Sequence, residues 1–528
     1  MEILTIIKLV TAVIVLVYLA IVVRRDMQML QLNSYRNNRY MGWLKMNGDY
    51  TSIARLVDLA MVTFMVSTFG GGIEAYAIIA VVLLVKMIAL LRKKYKKPLV
   101  FTRRVGRLYF TELVLTIAVA VGLSSLWGDC LENIVVLMLL AATFSCWVTM
   151  AANWLMKPVE ASINRKFYNE AKGILSQMTA MRIVGITGSY GKTSTKHYLN
   201  RVLSEKYDVL MTPGSYNTPM GVIRTVREML KPYHNLFIVE MGAKQVGDIK
   251  EICDLVNPEI GILTAVGEQH LESFKSIENV QSTKFELVDA LPKGGFAVLN
   301  NDFEYVASRE VKNVSAVRYG VANVDGVDYK VSNIEYSECG TKFTIVATDG
   351  KEIILETKLV GECNISNLVG AVIVALYLEV PESKIKYAVS RIEQVEHRLN
   401  LKRTPSGVTI IDDAFNSNPD GSRMALEVLG RMTGGKRIVI TPGMIELGDK
   451  QFEYNRVLGE HIARNCDVAI VVGEYNRQAI TEGIATVGMD TDMVHVVDNF
   501  NDAQAVLKSI AVSGDTVLYE NDLPDTFK

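Results

Sequence analysis

Between Ile186 and Ser194 the chain reads I-T-G-S-Y-G-K-T-S. An apolar, β-branched run (Arg182-Ile183-Val184-Gly185-Ile186) precedes it, and a helix-compatible run from Thr195 to Leu203 follows. Strand, glycine loop, helix is the arrangement that cradles phosphate groups, since backbone amides at a helix start face the anion. Gly188 and Gly191 let the backbone turn tightly against a phosphate. Lys192 supplies a point charge to the β and γ phosphates, and the Thr193 hydroxyl is a magnesium ligand. The loop departs from the standard Walker spacing, because Ile186 stands where the first glycine belongs. An ordinary glycine turn would leave Lys192 and Thr193 unexplained. The expected cofactors are therefore ATP and Mg2+, with Thr187, Gly188, Ser189, Tyr190, Gly191, Lys192, Thr193 and Ser194 around the nucleotide.

The rest of the composition divides the chain. Its 528 residues leave room for three or four domains. Lys plus Arg is 56 and Asp plus Glu is 57, a balance that argues against a nucleic-acid binder. The six cysteines are scattered without a C-x-x-C pair, as reduced thiols are. Apolar residues concentrate in the first 155 positions. Ile3–Val23, Ala54–Gly70, Ile73–Leu91, Leu108–Leu126 and Ile134–Leu155 read as about five transmembrane helices. Arg24-Arg25 follows the first with no small-residue cleavage site, so it reads as an uncleaved helix. If the Gly70-Gly71-Gly72 pair is re-entrant, the count falls to four. Residues 92–107 carry eight Lys/Arg and no acid, and residues 24–55 are also basic, whereas the opposite turns carry Glu74, Asp129 and Glu132. The positive-inside rule then puts the N-terminus outside and everything after Leu155 in the cytoplasm. Lys8, Asp58, Lys86 and Glu112 fall inside these segments. Asp58 and Glu112 lie near predicted cytoplasmic ends, where headgroup exposure accounts for them. Residues 157–180 read as an amphipathic linker, with Ile163, Phe167, Ala171 and Ile174 at helical spacing.

From Met181 the pattern becomes strand, loop, helix, repeated, which predicts an α/β domain with a parallel sheet. Leu236–Val239 leads to Glu240, and Ile260–Ala265 leads to Glu268-Gln269-His270. Ligands in open α/β sheets sit at such strand ends. Glu240 is a hard oxygen ligand for Mg2+ near the phosphates, and His270 is a candidate for a second ion. Gly295–Leu299 is a further strand, ending at Asn300. Residues 327–360 alternate apolar and polar, predicting a small antiparallel insertion. A second α/β unit begins near Leu399, with strands at Val408–Ile411, Arg437–Thr441 and Val468–Val472.

The motifs then add up. T-G-S-Y-G-K-T-S, Asn217-Thr218-Pro219, V-E-M-G-A at 239–243, G-E-Q-H-L-E-S-F at 267–274 and S-T-K-F-E at 282–286 together resemble the Mur ligase family. That family comprises ATP-dependent amide-forming ligases of peptidoglycan precursor synthesis. V-L-N-N-D at 298–302 resembles its adenine-contacting segment around Asn300. G-E-C-N-I-S-N at 361–367 resembles its G-x-H-N-x-x-N helix start, with Cys363 in place of His. I-D-D-A-F-N-S-N-P-D at 411–420 and G-M-I-E-L-G at 443–448 resemble the D-alanyl-D-alanine-adding member.

The resemblance implies a central ATP-binding domain at 181–397 and a Rossmann-like C-terminal domain at 398–528, behind a membrane domain at 1–156. Arg398 would contact phosphate across the hinge and Asp413 the ribose, or Asp413 would serve as a turn cap; Asn416 and Asn418 read as turn-formers. Lys192, Lys284 and His270 would be catalytic. The metal set would be Thr193, Glu240, His270 and, if carbamylated, Lys284; an unmodified Lys284 would neutralise phosphate charge instead.

Two departures bear on substrate. Apolar segments stand where the family's UDP-sugar-binding domain ordinarily is. V-L-Y-E-N-D-L-P-D at 517–525 lacks the family's K-G-S/A-R/N-type segment. The expected partners are a peptidoglycan-precursor acid, an amino acid or dipeptide amine, and the lipid bilayer, with no nucleic acid. Three readings follow: a D-Ala-D-Ala ligase acting on a UDP-MurNAc-peptide; a Mur-like ligase acting on a lipid-linked or polymeric carboxylate, as in lipid II amidation; and a P-loop ATPase of membrane transport or signalling, for which Walker B and coupling motifs are wanting.

Overall fold

The computed structural model describes residues 2–47, 53–67, 73–92, 97–127, 131–337, 340–415 and 417–522. It separates into two compact units whose boundary falls at Arg165/Lys166.

The first unit is helical: α1 (Glu2–Leu32), α2 (Asn37–Met46), α3 (Ile53–Ser67), α4 (Ile73–Arg92), α5 (Arg103–Trp127), α6 (Leu131–Thr143) and the start of α7 (Ser145–Gln177). Val15, Tyr18, Met27, Leu30, Ile79, Leu83 and Leu139 pack in its core. Its outer face is also apolar, with Ile3, Val81, Val85, Leu91 and Phe110 all more exposed than buried. A long apolar exterior is unfavourable against water, and patches of this kind mark interaction sites for a protein partner or a membrane.

Of the five expected spans, α1 and α4 are long and apolar enough to cross a membrane by length and composition. The fifth, Ile134–Leu155, is not one straight helix: α6 and α7 meet at Phe144 with a 78° bend, so at most they form one broken span. The spans expected at 54–70 and 108–126 run into residues, Gly70-Gly71-Gly72 among them, or side chains that lie outside those described.

The charges that fall inside the expected spans also differ from expectation. Asp58 and Glu112 are buried rather than exposed to headgroups. Asp58 contacts Lys86 of α4 and accepts a 2.9 Å hydrogen bond from the Tyr18 hydroxyl of α1. Glu112 accepts from the Thr149 hydroxyl at 3.0 Å. Arg55 reaches Asp26 at 3.4 Å and donates to the Thr143 carbonyl at 2.9 Å. Pairing of this kind is what a desolvated charge requires.

In the second unit, strands β1 (Arg182–Thr187), β2 (Val209–Met211), β3 (Leu236–Glu240), β4 (Ile260–Leu263), β5 (Phe296–Asn300), β6 (Ser315–Gly320), β7 (Tyr329–Ser337), β8 (Gly340–Ala347) and β9 (Glu352–Thr357) form one sheet. Its order is β2-β3-β1-β4-β5-β6-β7-β8-β9. Pairing is parallel through β6–β7 and antiparallel for β7–β8–β9. The alternating stretch at 327–360 is antiparallel within itself, as expected, and extends the main sheet, because Tyr319 and Gly320 of β6 pair with Tyr329 and Lys330.

Helix α8 (Lys192–Leu203) and the helix Glu362–Tyr377 cover one face, burying Tyr198, Leu199, Val202, Leu368 and Val372. On the other face, α7 carries Phe167, Tyr168, Ala171 and Ile174 onto Met181, Phe237 and Leu255. The amphipathic stretch at 157–180 is therefore mostly the second half of one long helix, seated on the sheet.

A second sheet has the order β10-β11-β15-β12-β13-β14, with strands Asn400–Arg403, Thr409–Asp413, Thr516–Glu520, Arg437–Thr441, Val468–Val472 and Val494–Val497 in that order. All pairs are parallel except β10–β11. The segment at 517–520, which the sequence did not mark as a strand, is the third strand of this sheet.

Candidate active site

The glycine loop leaves β1 at Thr187, whose hydroxyl donates to the Met241 carbonyl at 2.9 Å. The Ser189 hydroxyl donates to Gly267 O at 2.9 Å, fastening the loop to the segment after β4. At Gly188 an added Cβ would lie 2.1 Å from Thr264 Oγ1. Gly191 sits at φ +82°, where an added Cβ would lie 2.2 Å from Asn367 Oδ1. Only glycine meets both demands, a left-handed backbone and a neighbour at contact distance. Asn367 belongs to the helix that starts at Glu362 and also accepts from Thr195 Oγ1 at 3.3 Å. Ser194 is buried in the first turn of α8.

Lys192 curls back over the loop, its Nζ donating to Gly188 O at 2.7 Å and Ser189 O at 3.0 Å. Burial pulls its ammonium down to about 8, against the attraction of Glu240. An arriving phosphate would replace those carbonyls and favour the charged ammonium further. Thr193 Oγ1 donates to Glu240 Oε1 at 3.1 Å, and Asn217 Nδ2 donates to the same oxygen at 3.0 Å. On the other side of the carboxylate, fully buried Lys196 lies 2.9 Å from Oε2 and donates to Gly214 O at 2.5 Å. Burial alone would raise Glu240; Lys196 and Lys192 outweigh it and hold the carboxylate below its usual range.

Sequence reasoning missed Lys196. A signal existed: Lys192, Lys196, Leu199 and Leu203 recur at helical spacing, so a lysine stands on the stripe that packs against the sheet.

The donor set fits a magnesium ion. Neighbouring oxygens in an octahedron of ~2.1 Å bonds lie about 3 Å apart. Thr193 Oγ1 and Glu240 Oε1 are 3.1 Å apart and both are hard oxygen ligands. Among the described residues no three His, Cys, Asp or Glu side chains converge as a protein-only metal cage. Magnesium ordinarily completes its shell with water and substrate phosphate.

Lys284, on the helix Ile277–Asp289, is buried. Burial first, and repulsion from Lys192 second, hold its pKa well below the ordinary lysine value. His270 is at φ +54° and contacts the Glu446 carboxylate through Nδ1; burial pushes its imidazole down. Arg398 stacks over Phe415, its guanidinium 4.2 Å from the ring centroid, and burial lowers its pKa despite attraction from Asp413 and Glu240. Asp413 accepts the Leu399 amide at 3.1 Å, and burial raises its carboxyl to about 6.

Asn300, expected in the adenine-contacting segment, lies at the end of β5. Its amide donates to Thr264 O and Ser366 Oγ, both at 2.9 Å, and its oxygen accepts the Asp302 amide at 3.1 Å. These three bonds brace the loop after β5. Cys363 is kept protonated, since burial pushes its thiol up to about 12. Asn418 caps the helix Pro419–Gly430 by accepting from Gly421 N at 2.9 Å, and Asn416 lies outside the described residues.

Contacts also join the two sheets' loops. The Tyr190 hydroxyl donates to Asp420 Oδ2 at 2.5 Å, and Lys450 reaches Glu268 at 2.8 Å. The site therefore gathers four cations, Lys192, Lys196, Lys284 and Arg398, within the electrostatic reach of one another or of Glu240. That is an environment for a polyphosphate and for the charge that develops when a phosphoryl group moves.

Comparison with known proteins agrees. Residues 186–375 match the Mur ligase middle domain, and residues 397–519 match the Mur ligase glutamate ligase domain. The UDP-N-acetylmuramoyl-tripeptide–D-alanyl-D-alanine ligase of Bacillus subtilis (strain 168) is 28% identical over 352 residues, 66% of this chain and 75% of the relative. The ligase of the same name from Mycobacterium tuberculosis (strain H37Rv) is 30% identical over 377 residues, 66% of this chain and 72% of the relative. The MurF ligase of Thermotoga maritima, solved in complex with ADP, superposes with a TM-score of 0.61 at 25% identity, over 68% of this chain and 80% of that one. With both family domains present in order and a relative of this identity matched over most of its length, the chain belongs to the Mur ligase family.

Proposed function

We propose that this protein joins D-alanyl-D-alanine to a UDP-MurNAc-tripeptide at the expense of ATP, and that it does so from a membrane-embedded helical unit. The observation that carries the reaction type is the Thr193–Glu240–Lys196 arrangement beside the Lys192 loop. The substrate pair is taken from the relatives' activity and from the D-D-A-F-N-S-N-P and G-M-I-E-L-G segments.

The substrate carboxylate attacks the γ-phosphorus of ATP, the bond to the β–γ bridging oxygen breaks, and ADP leaves. The resulting acyl phosphate is attacked by the dipeptide amine; phosphate departs, the amine proton is lost, and an amide remains. Lys192 holds the β and γ oxygens, and Arg398 adds positive charge from the other side of the hinge. Thr193 and Glu240 would hold the magnesium ion, which supplies charge neutralisation along the phosphates. Lys196 keeps Glu240 ionised and aimed. Lys284 has two readings: its depressed pKa favours the neutral amine that carbamylation needs, and the unmodified amine would face the acyl phosphate. Asp413 would accept from the ribose. The second sheet, read as Rossmann-like, would close on the nucleotide through the Tyr190–Asp420 and Lys450–Glu268 contacts and exclude water from the acyl phosphate.

The apolar exterior of α1 and α4, with basic residues at 24–55 and 92–107, supports a multi-pass placement with the α/β unit in the cytoplasm. The same exterior supports a second reading, in which the acid acceptor is lipid-linked and lies against the helices.

Phosphate release by detergent-purified protein tests both. Stimulation by UDP-MurNAc-tripeptide plus D-Ala-D-Ala, with the amide product found by mass and lost in Lys192→Ala, is the expected result. Stimulation only by a lipid-linked precursor plus an amino acid replaces it with the second reading. Full turnover in both Lys192→Ala and Glu240→Ala sinks the ligase mechanism.

A further inference from the structure

We propose that a groove on α5 binds the phosphate headgroup of an anionic membrane lipid, an inference that rests on reading the helical unit as membrane-embedded. Arg103, Gly106, Arg107, Phe110, Thr111 and Met156 line an open groove of about 600 Å³. The α5 members recur at three- and four-residue spacing, so they share one face of the helix. That face continues through exposed Leu113, Val114 and Ile117. One ridge of a single helix thus runs from two guanidinium groups to an apolar strip. From Arg103 to Ile117 it extends roughly 21 Å at ~1.5 Å per residue, more than the ~15 Å of one leaflet's hydrocarbon. A headgroup at one end and a chain along the other match that order.

The charges at the head end are not neutralised within the protein. Glu160 serves both Arg107, at 2.7 Å, and Arg104, at 3.9 Å, and Arg104 also stacks on Tyr35 with its guanidinium 3.9 Å from the ring centroid. Among the described residues Arg103 has no ion-pair partner. One carboxylate for three guanidiniums leaves a positive site, and guanidinium is the group that meets phosphate through paired N–H donors. The surrounding run of eight Lys/Arg without an acid at 92–107 adds to the attraction for an anionic surface. Val100 and Phe101, exposed by 61% and 67%, supply apolar contacts just ahead of the basic turn. Gly106 keeps the groove open, for a Cβ placed there meets nothing within 4 Å. Any side chain at this position would therefore grow into the space that the ligand needs.

The test is a titration of the full-length protein in neutral detergent with dodecyl phosphate, bound ligand being counted by native mass spectrometry. Saturable binding is expected, weakened at least tenfold by Arg103→Ala, which removes charge, and by Gly106→Leu, which fills the groove with all charges in place. Neither variant should lower the thermal midpoint, since both positions face open space. Inorganic phosphate and dodecanol, each supplying half of the ligand, should not compete at equal concentration. Unchanged binding in Gly106→Leu, or competition by inorganic phosphate as strong as that by dodecyl phosphate, overturns the site. Alkaline carbonate extraction separates the two levels. A protein released from membranes removes the membrane reading and this inference with it, whereas retention with unaltered Gly106→Leu binding removes the groove alone.

Discussion

Glu240 is held by three donors, and they are not equivalent. Thr193 and Asn217 are neutral partners of Oε1, while Lys196 brings a full charge to Oε2 from a position with no exposure. Removing one member of a buried pair costs ~3–5 kcal/mol because the other charge is stranded. Lys196→Met should therefore lower the thermal midpoint by roughly 5 °C or more in a melt of the detergent-solubilised protein. Lys192→Ala should leave the midpoint near wild type, since that ammonium contacts only loop carbonyls, yet abolish turnover. Equal melts for the two variants would mean that Lys196 is not the structural partner inferred here.

Glu520 gives the second residue-level prediction. It sits at the end of β15 beside Asp413 of β11, where Ser417 and Thr441 hydroxyls meet its carboxylate, and burial raises it to about 7. Its folded pKa exceeds the unfolded one, so the folded chain binds more protons and stability falls as pH rises from about 4.5 through 7. Glu520→Gln should melt like wild type near pH 4.5 and above it at pH 8, by on the order of 3 kcal/mol. A shallower slope from Asp413, raised in the same direction, should persist. A wild-type melt that is flat over this window would remove Glu520 as a buried acid.

Lys192, Thr193 and Glu240 were legible because their chemistry is tied to a short spacing in the sequence. Glu520 was not, because what makes it unusual is a hydroxyl cradle drawn from residues more than seventy positions away.

At the scale of elements, the phosphate loop is a wedge between β4 and the helix Glu362–Tyr377. Gly191→Ala must place a Cβ 2.2 Å from Asn367 Oδ1 in a left-handed backbone. Loss of nucleotide binding is expected, together with destabilisation of about 1–3 kcal/mol. Truncating the neighbour in Gly191→Ala/Asn367→Ala relieves the clash but not the backbone strain, so it should restore binding only in part. Full restoration, read by ATP-analogue titration, would show that the contact alone mattered.

The loop also reaches the second sheet through Tyr190 and Asp420, while the connection between the sheets holds His397 and Leu399 at positive φ. Tyr190→Phe and Asp420→Asn, compared with the double variant on kcat/KM, should show a coupling of ~0.5–3 kcal/mol; strictly additive losses would mean that the contact does nothing for turnover.

Strands β1, β3, β4 and β5 were readable because buried parallel strands are continuous apolar runs ending in polar residues. β6 and β15 escaped for opposite reasons. Ser315–Gly320 is half exposed and carries a mixed sequence. Thr516–Glu520 has a fitting apolar run but follows the other strands by such a distance that its place beside β11 and β12 depends on tertiary pairing.

For the whole molecule, the decisive property is that an α/β ligase body shares a chain with a helical unit whose outside is apolar. Two of the five apolar segments read from sequence are helices long and apolar enough to span, and hydropathy cannot see the 78° break at Phe144 or the burial of Asp58 and Glu112 among helices, because both are consequences of packing. The two units are each compact, and the boundary lies within α7 just before Phe167, whose helix face packs on the sheet. A chain beginning at Lys166 keeps that face and loses the apolar exterior. It should appear in the soluble fraction, while the full chain stays in the membrane pellet after alkaline carbonate. Its turnover with UDP-MurNAc-tripeptide and D-Ala-D-Ala should match that of the full chain if the helices serve as an anchor, since Lys192, Thr193, Lys196, Glu240, Lys284, Arg398 and Asp413 all remain. A shortened chain that folds by circular dichroism and binds ATP, yet turns over only when a lipid-linked acceptor and the helical unit are both supplied, would instead make those helices part of the acid-binding site.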